Sequence, residues 1–199
     1  MTASQAAKAE AFRALHQRNG AFVIPNPWDV GTARILASMG FEALATTSAG
    51  FAFSLGLPEG VVSRDQTLAH CRELVAASEL PVSADLEKGF GDSPESVAET
   101  IRAAAATGLA GCSIEDHTNR RDDPIFDFTL AVERIRAARE AIDTGGTGVV
   151  LTGRSEGFIV GRPDLGETIR RLTAYAEAGA DCLYAPGIRT RAEISAVIE

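Results

Sequence analysis

The stretches SMGFEA at residues 38–43, ATGLAG at residues 106–111 and EAGADC at residues 177–182 share one layout. Each stretch has the end of a helical pattern, then a glycine, then a strand-forming run two or three residues later. Glycine readily adopts the left-handed conformation that ends a helix, and a short loop then returns the chain to a sheet. Three copies of this junction indicate parallel strands that alternate with helices.

Around these junctions, short β-rich runs alternate with longer runs of helical periodicity. The predicted strands cover residues 22–26, 43–48, 80–87, 111–116, 149–154 and 182–185. The predicted helices cover residues 29–39 and 64–78, run from Ser93 to Gly108, through Val132 and Ala138, from Leu165 to Gly179, and over 191–199. Ser93 and Pro94 are the capping serine and first-turn proline that are typical of a helix start.

Six βα units predict an α/β fold of one of two kinds. A (β/α)₈ TIM-type barrel would have about six of its eight units here, whereas an open doubly wound sheet could be complete with six strands. The turn NPWD at residues 26–29 is not a G-x-G-x-x-G phosphate loop, which favours the barrel. We therefore expect a single catalytic barrel domain over residues 1–199 that is incomplete at its C-terminus. Such a fragment alone would expose strand edges, so it should aggregate or need a partner chain.

Composition and charge exclude several classes of function. The 199 residues are 45% hydrophobic and carry a formal net charge of -8, a field that repels nucleic-acid phosphates. The first 20 residues contain no unbroken apolar run, so they predict neither a secretory signal nor a membrane span. Cys71, Cys112 and Cys182 are too far apart for a zinc motif, and we expect reduced thiols in a cytoplasmic protein, with Cys112 buried.

Acidic residues gather at the C-terminal ends of the predicted strands, where barrel enzymes place their chemistry. Asp85 and Glu87 end the third strand and should share one face, since side chains alternate along a strand. Glu115 ends the fourth strand, and Arg154 ends the fifth. Like charges that meet this way repel one another unless a cation lies among them, and carboxylate oxygens suit Mg²⁺.

These motifs resemble those of the isocitrate lyase/phosphoenolpyruvate mutase superfamily. DLEKGFG at residues 85–91 is similar to its D-x-[DE]-x-G-[FY]-G motif, and GCSIED at residues 111–116 to its G-x-x-[IL]-E-D segment. PNPWD at residues 25–29, TSAG at 47–50 and TGRSE at 152–156 resemble its first, second and fifth βα units. The similarity runs in order from about residue 22 to residue 186.

The resemblance implies a Mg²⁺ site and a substrate site. The implied metal-site residues are Asp85 as direct ligand, Glu87 and Glu115 through metal-bound waters, and Glu59 in place of a family aspartate. The implied substrate-binding residues are Ser48, Ala49 and Gly50 through their backbone amides, Asp85, and Arg154 through its guanidinium. Trp28 lies in a βα turn, which favours a place in the pocket wall over the core.

The implied activity is C–C bond cleavage or decarboxylation of a small 2-oxo acid or dicarboxylate through an enolate-like intermediate. The resemblance also implies a homo-oligomer, a dimer or a tetramer. HTNRRDDP at residues 117–124 lacks the lyase loop K-[KR]-C-G-H and its cysteine, which disfavours isocitrate and methylisocitrate cleavage. Arg154 and Glu115 remain candidate catalytic residues, and His117 is either an acid–base group or a solvated loop residue. Two alternatives stay open: C–P bond chemistry on phosphonopyruvate, and a non-catalytic protein that binds 2-oxo acids.

Overall fold

The computed structural model describes residues 3–199 and confirms an α/β fold. Its strands are β1 Leu44–Ala45, β2 Val82–Asp85, β3 Gly111–Glu115, β4 Val150–Arg154 and β5 Cys182–Tyr184. Its helices are α1 Gln5–Gln17, α2 Val30–Ser38, α3 Ser48–Ser54, α4 Arg64–Ala77, α5 Pro94–Ala105, α6 Phe128–Gly145, α7 Leu165–Glu177 and α8 Arg191–Ile198. The strands are parallel and pair in chain order, so they form a half-barrel with the geometry of a partial TIM-type barrel.

The glycine junctions that predicted the fold are present at all three positions. Gly40, Gly108 and Gly179 follow helices and have φ values of 88°, 91° and 103°, in the left-handed region that favours glycine. Ser93 caps α5 as predicted, with its hydroxyl accepting a hydrogen bond from the Ser96 amide. Local sequence therefore determines where these helices begin and end.

The predicted strand at residues 22–26 is wrong, and the sheet has five strands instead of six. This segment is extended, and the Ala45 amide donates to the Pro25 carbonyl at 3.1 Å. Because Pro25 and Pro27 have no amide hydrogen, neither can return the bond that a parallel ladder requires, and the Ala45 carbonyl instead accepts from the Asn26 side chain at 3.1 Å. The prediction of one strand over residues 43–48 is also too long, since β1 ends at Ala45 and Ser48 already begins α3.

Helix α1, which the periodicity did not predict, covers the N-terminal ends of the strands. Its residue Phe12 is 2% exposed and packs with Ala43, Ala110 and Val150, each of which lies at or next to the start of a strand. Gln5 fastens the helix by donating through its amide nitrogen to the Ala105 carbonyl at 2.7 Å. The helix therefore closes the bottom of the half-barrel, opposite the strand ends that carry the acidic residues.

The main core lies between the sheet and helices α4 to α7. Leu74, Ile101, Ile135 and Leu172 pack from these helices onto the buried strands. Cys112 is buried in β3 as predicted, and the cysteines of residues 3–199 are free thiols. No helix within the described range combines the length and the apolar character that crossing a bilayer requires.

The contact between α1 and β3 generates a stability prediction. A Cβ atom added at Gly111 would lie 2.6 Å from Phe12 Cε1 and 3.0 Å from Ser83 Oγ. Gly111→Ala should therefore lower the free energy of unfolding by about 1–3 kcal/mol, the usual cost of overpacking a core. At Gly145, the last residue of α6, the nearest atom would be 3.7 Å away, so Gly145→Ala is a control that should not lower the stability. Denaturant unfolding measures both; equal stabilities for the two variants would contradict this packing.

Candidate active site

Three neighbouring strands bring two carboxylates and a guanidinium to one rim of the half-barrel. Asp85 is the last residue of β2, Glu115 of β3 and Arg154 of β4. The register places Glu115 directly opposite Arg154, and Asp85 opposite Ser113. Because parallel strands end at the same edge, residues far apart in sequence meet there. The predicted gathering of charged side chains at this rim is confirmed.

Arg154 lies at the centre of this group. Its Nη1 is 3.6 Å from Asp85 Oδ2, its Nε is 3.6 Å from Glu115 Oε2, and Nε also donates to the carboxylate of Glu156. Its guanidinium lies 5.3 Å from the ring centroid of Tyr184. Burial acts to lower the pKa of Arg154, but attraction to the three carboxylates outweighs it and raises the pKa, so the side chain stays charged.

Acidic side chains outnumber the Arg154 guanidinium at the rim, and the pKa values of two of them are raised. Burial raises the pKa of Glu115 to about 9, and repulsion from Asp85 and Glu156 adds to the rise although Arg154 opposes it. Burial, Asp85 and Glu59 together raise the pKa of Glu87 to about 7. Both shifts have the direction expected where buried acids face one another without enough positive charge.

The segment after β2 reaches the site by a route that differs from the prediction. The strand ends at Asp85, and Glu87 has a left-handed φ of 50°, so the alternation of faces does not extend from Asp85 to Glu87. The Glu87 amide donates to Asp85 Oδ1 at 3.0 Å. Gly89 and Phe90 are also left-handed, with φ of 79° and 59°. A tight turn, and not the pleat of a strand, therefore brings Glu87 beside Asp85.

Residues 48–50, predicted as a substrate-binding turn, form the first turn of α3. The Ser48 amide and hydroxyl donate to Asp85 Oδ2 at 3.3 and 3.0 Å, and the same hydroxyl lies 3.0 Å from Glu59 Oε1. The Gly50 amide donates to the Thr47 hydroxyl at 3.2 Å. Two of the three predicted amides are thus engaged within the protein, and Ser48 joins Asp85 to Glu59.

Trp28 lies against α3, and about half of it is exposed. A Cβ atom at Gly50 would lie 2.4 Å from Trp28 Cδ1, so only glycine allows the indole to pack this closely. The ring also makes an edge contact with Phe53 at a centroid distance of 6.2 Å. The neighbouring acid, Asp29, caps α2 by accepting from the Thr32 amide.

His117 begins the loop after β3 and lies beside Glu115. Its Nδ1 is 3.7 Å from Glu115 Oε1, and its backbone forms an isolated antiparallel bridge with Ile125. Burial lowers the pKa of His117, although Asp116 and Glu59 act in the opposite direction. The histidine is therefore held at the rim by backbone pairing, with part of its ring in solvent.

A buried network behind the rim was not predicted as part of the site. Asp116 is 2% exposed and accepts from the Tyr175 hydroxyl at 2.7 Å and from Arg171 Nη1 at 3.3 Å. Its other oxygen accepts from the Glu156 amide at 2.8 Å. Because side chains alternate along a strand, the sequence indicates that Glu115 and Asp116 point to opposite faces. The partners of Asp116 on α7 are distant in sequence, so the sequence does not identify them.

The donor chemistry of the rim fits a hard divalent cation. Within residues 3–199, no group of three His, Cys, Asp or Glu side chains is placed to hold a metal ion directly. Mg²⁺, however, takes only one or two carboxylates directly and keeps several waters. Asp85, with Glu59, Glu87 and Glu115 near it, therefore fits a cation that is held mainly through water.

Comparisons with known proteins agree with this geometry. The model of the phosphoenolpyruvate phosphomutase family matches residues 12–199. A protein of Burkholderia cenocepacia J2315, provisionally described as a lyase/mutase, is 61% identical with a TM-score of 0.95, over 97% of this chain and 69% of that one. The structure of 2,3-dimethylmalate lyase, a member of the PEP mutase/isocitrate lyase superfamily, is 31% identical with a TM-score of 0.87, and the match covers 96% of this chain and 67% of that one. Phosphonopyruvate hydrolase in complex with oxalate and Mg²⁺ is 25% identical with a TM-score of 0.87, and the match again covers 96% of this chain and 67% of that one.

Curated relatives are longer than this chain. An uncharacterised protein of Mycobacterium tuberculosis is 32% identical over 178 residues, which are 88% of this chain and 65% of that protein. The 2-methylisocitrate lyase of Escherichia coli (strain K12) is 31% identical over 187 residues, which are 90% of this chain and 62% of the enzyme. The chain thus spans less than two thirds of the length of either relative.

The family match covers all five strands, the acidic rim and α8, and the resemblance seen in the motifs is confirmed. The chain belongs to the phosphoenolpyruvate phosphomutase family, within the isocitrate lyase/phosphoenolpyruvate mutase superfamily.

Proposed function

We propose that this chain is the catalytic barrel domain of a Mg²⁺-dependent lyase or decarboxylase that breaks a C–C bond next to the carbonyl of a small 2-oxo acid or dicarboxylate. The observation that carries the proposal is the cluster of Asp85, Glu115 and Arg154 at the ends of adjacent strands, in which the guanidinium lies 3.6 Å from each of the two carboxylates. Relatives that are lyases support a C–C bond as the target.

The proposed metal site is built on Asp85. Its carboxylate would be the direct ligand, while Glu87, Glu115 and Glu59 would accept hydrogen bonds from metal-bound waters. When bound, Mg²⁺ would supply positive charge to the keto oxygen, on which negative charge develops in an enolate. The phosphonopyruvate hydrolase bound to oxalate and Mg²⁺ supports this choice of cation.

The proposed substrate site lies between Arg154 and α3. The planar guanidinium of Arg154 can bind a carboxylate through two parallel hydrogen bonds. The backbone at Ser48, Ala49 and Gly50 would contact a carboxylate from the other side, and Trp28 would exclude water as a wall. In the described residues the Ala49 amide, unlike the amides of Ser48 and Gly50, donates to no protein oxygen, and it is the donor best placed for this role.

Acid–base chemistry is assigned to the rim between β3 and its loop. His117, 3.7 Å from Glu115, replaces the missing loop cysteine as the candidate proton donor or acceptor. Since residues 117–124 contain no cysteine, cleavage of methylisocitrate is disfavoured, and oxaloacetate or a related 2-oxo acid is the proposed substrate class.

We further propose that the protein acts in the cytoplasm as a homo-oligomer. The free thiols support a reducing compartment. Ile35 of α2, Met39 directly after α2 and Phe53 of α3 are each more than half exposed, and such apolar surface supports association with further protein. The negative charge disfavours nucleic acid as a partner.

A substrate panel tests the proposed reaction. Oxaloacetate and related 2-oxo acids should be converted to products of C–C cleavage, while phosphonopyruvate should not be converted. EDTA should abolish turnover, and excess Mg²⁺ should restore it. Release of phosphate from phosphonopyruvate would instead favour C–P chemistry. Mg²⁺-dependent binding with no product from any compound would favour a binding protein.

Removal of the Asp85 carboxylate should abolish Mg²⁺-dependent binding of oxalate, a stable analogue of a 2-oxo acid. Asp85→Ala removes the proposed direct ligand, and Asp85→Asn keeps an acceptor for the neighbouring amide while it removes the charge. Calorimetry with and without Mg²⁺ measures the effect, with Asp122→Ala, an exposed aspartate of the loop after β3, as the matched control. Wild-type affinity in both Asp85 variants would show that the metal is held elsewhere.

Substitution of Arg154 by lysine should weaken oxalate binding at least about tenfold, because a lysine cannot reproduce the planar two-bond geometry. Arg154→Lys keeps the charge that neutralises Asp85 and Glu115, so the loss would report geometry. Arg162→Lys, at an exposed position of the loop after β4, is the control. Unchanged affinity with a lower melting temperature would assign Arg154 a structural role as the partner of Glu156.

A further inference from the structure

Arg134 is a buried cation that the proposed mechanism does not use. It lies on α6 and is 1% exposed, and burial lowers its pKa to about 10, so it remains protonated at neutral pH. In the described part of the chain its hydrogen bonds go to backbone carbonyls and to no carboxylate. Its buried Nε has no hydrogen-bond partner among the described residues, so the cost of burying this charge is only partly offset, which indicates a specific role for this arginine.

The three acceptors of Arg134 all belong to the turn that follows β2. Nη1 donates to the carbonyls of Gly91 at 2.8 Å and of Asp92 at 2.6 Å, while Nη2 donates to the carbonyl of Lys88. One planar group therefore fastens both ends of residues 88–92. Thr100 of α5, which is fully buried, adds a fourth bond by donating to the Gly89 carbonyl at 2.8 Å.

This turn needs such support because its backbone is strained. Glu87 and Phe90 are non-glycine residues with φ of 50° and 59°, and such conformations persist only where the surrounding structure enforces them. Helix α5 packs closely against the turn, since a Cβ atom at Gly91 would lie 2.4 Å from Ser96 Cβ. Glu87 directly precedes residues 88–92, and its own backbone bonds go to Asp85 and to the Glu115 amide.

The ring of Phe126 connects the same arginine to the loop after β3. The Arg134 guanidinium lies 4.1 Å from the ring centroid, and Arg120 and Lys88 lie 5.7 and 5.9 Å from it. The Phe126 amide donates to the Asp116 carbonyl at 2.9 Å, directly after Glu115. Arg134 thus contacts the two segments that carry Glu87 and His117 while it touches neither side chain.

We propose that Arg134 is a positioning residue that clamps the turn at residues 88–92 and thereby holds Glu87 where it can bind the waters of a divalent cation. The inference rests on the proposed Mg²⁺ site. It adds that a residue of helix α6, behind the rim, influences the Mg²⁺ affinity of this site. Residues that orient metal ligands from behind typically change metal affinity by about 10- to 100-fold when they are replaced.

The test combines Arg134→Met with Glu87→Gln in a double-mutant cycle. Affinity for Mg²⁺ alone is measured by calorimetry, and hydrogen exchange of the metal-free protein is followed in residues 86–92. Arg134→Met should weaken Mg²⁺ binding about tenfold and increase exchange in this segment. In the Glu87→Gln background the same change should cost less than about twofold, because two residues that act through one contact are not additive.

Arg139→Met is the matched control, since Arg139 lies on the same helix but pairs with Asp143 and Asp181. It should lower the melting temperature without changing Mg²⁺ affinity. If Arg134→Met does not fold, Arg134→Lys, which keeps a charge but cannot reach three carbonyls, should show a smaller effect in the same direction.

The proposal would be overturned if the double variant lost Mg²⁺ affinity by the product of the two single losses. It would also be overturned if Arg134→Met differed from wild type only in stability. Unchanged exchange at residues 86–92 would also overturn it. Failure of the wild type to bind Mg²⁺ would instead refute the metal site of the proposed function, and the exchange experiment would still decide whether Arg134 clamps the turn.

Discussion

The arrangement at the rim depends on the attraction between one partly buried guanidinium and several buried or partly buried carboxylates. Arg154 lies within ion-pair distance of Asp85, Glu115 and Glu156, while Glu87 and Glu59 add further negative charge nearby. Burial, and after it repulsion from the neighbouring acids, raises the pKa of Glu115 and of Glu87, and Arg154 offsets only part of this repulsion. A second cation would remove it, and a divalent metal fits this role.

The remaining structure serves to keep these groups in place against their mutual repulsion. The parallel register fixes Glu115 opposite Arg154. Asp116, held by α7, anchors the amide of Glu156, and Arg134 of α6 anchors the turn that carries Glu87. The charged residues that face the site are thus supported by a second set of polar residues that face the helices. This division follows from alternation along β3, which turns two adjacent acids to opposite sides.

Local sequence was sufficient for the elements whose signals are local. The glycines that end helices and the capping residue Ser93 gave boundaries close to those observed, and the acids at strand ends could be placed on one rim because parallel strands end together. The prediction failed where hydrogen-bond partners from other segments determine the structure. Residues 22–26 have a strand-like composition, but Pro25 lacks an amide hydrogen that a strand ladder needs. The left-handed turn at Glu87 and the bonds of Arg134 depend on helices distant in sequence, which no periodicity reports.

We propose that the rim carboxylates share a divalent cation bound through Asp85. A crystal grown with Mn²⁺ in place of Mg²⁺, measured at the manganese absorption edge, would locate this cation. One anomalous peak is expected at about 2.1 Å from an Asp85 carboxylate oxygen, the distance of direct octahedral coordination. Glu87 and Glu115 should lie one water farther from the metal. An anomalous peak away from Asp85, or none at saturating Mn²⁺, would show that Asp85 does not hold the cation.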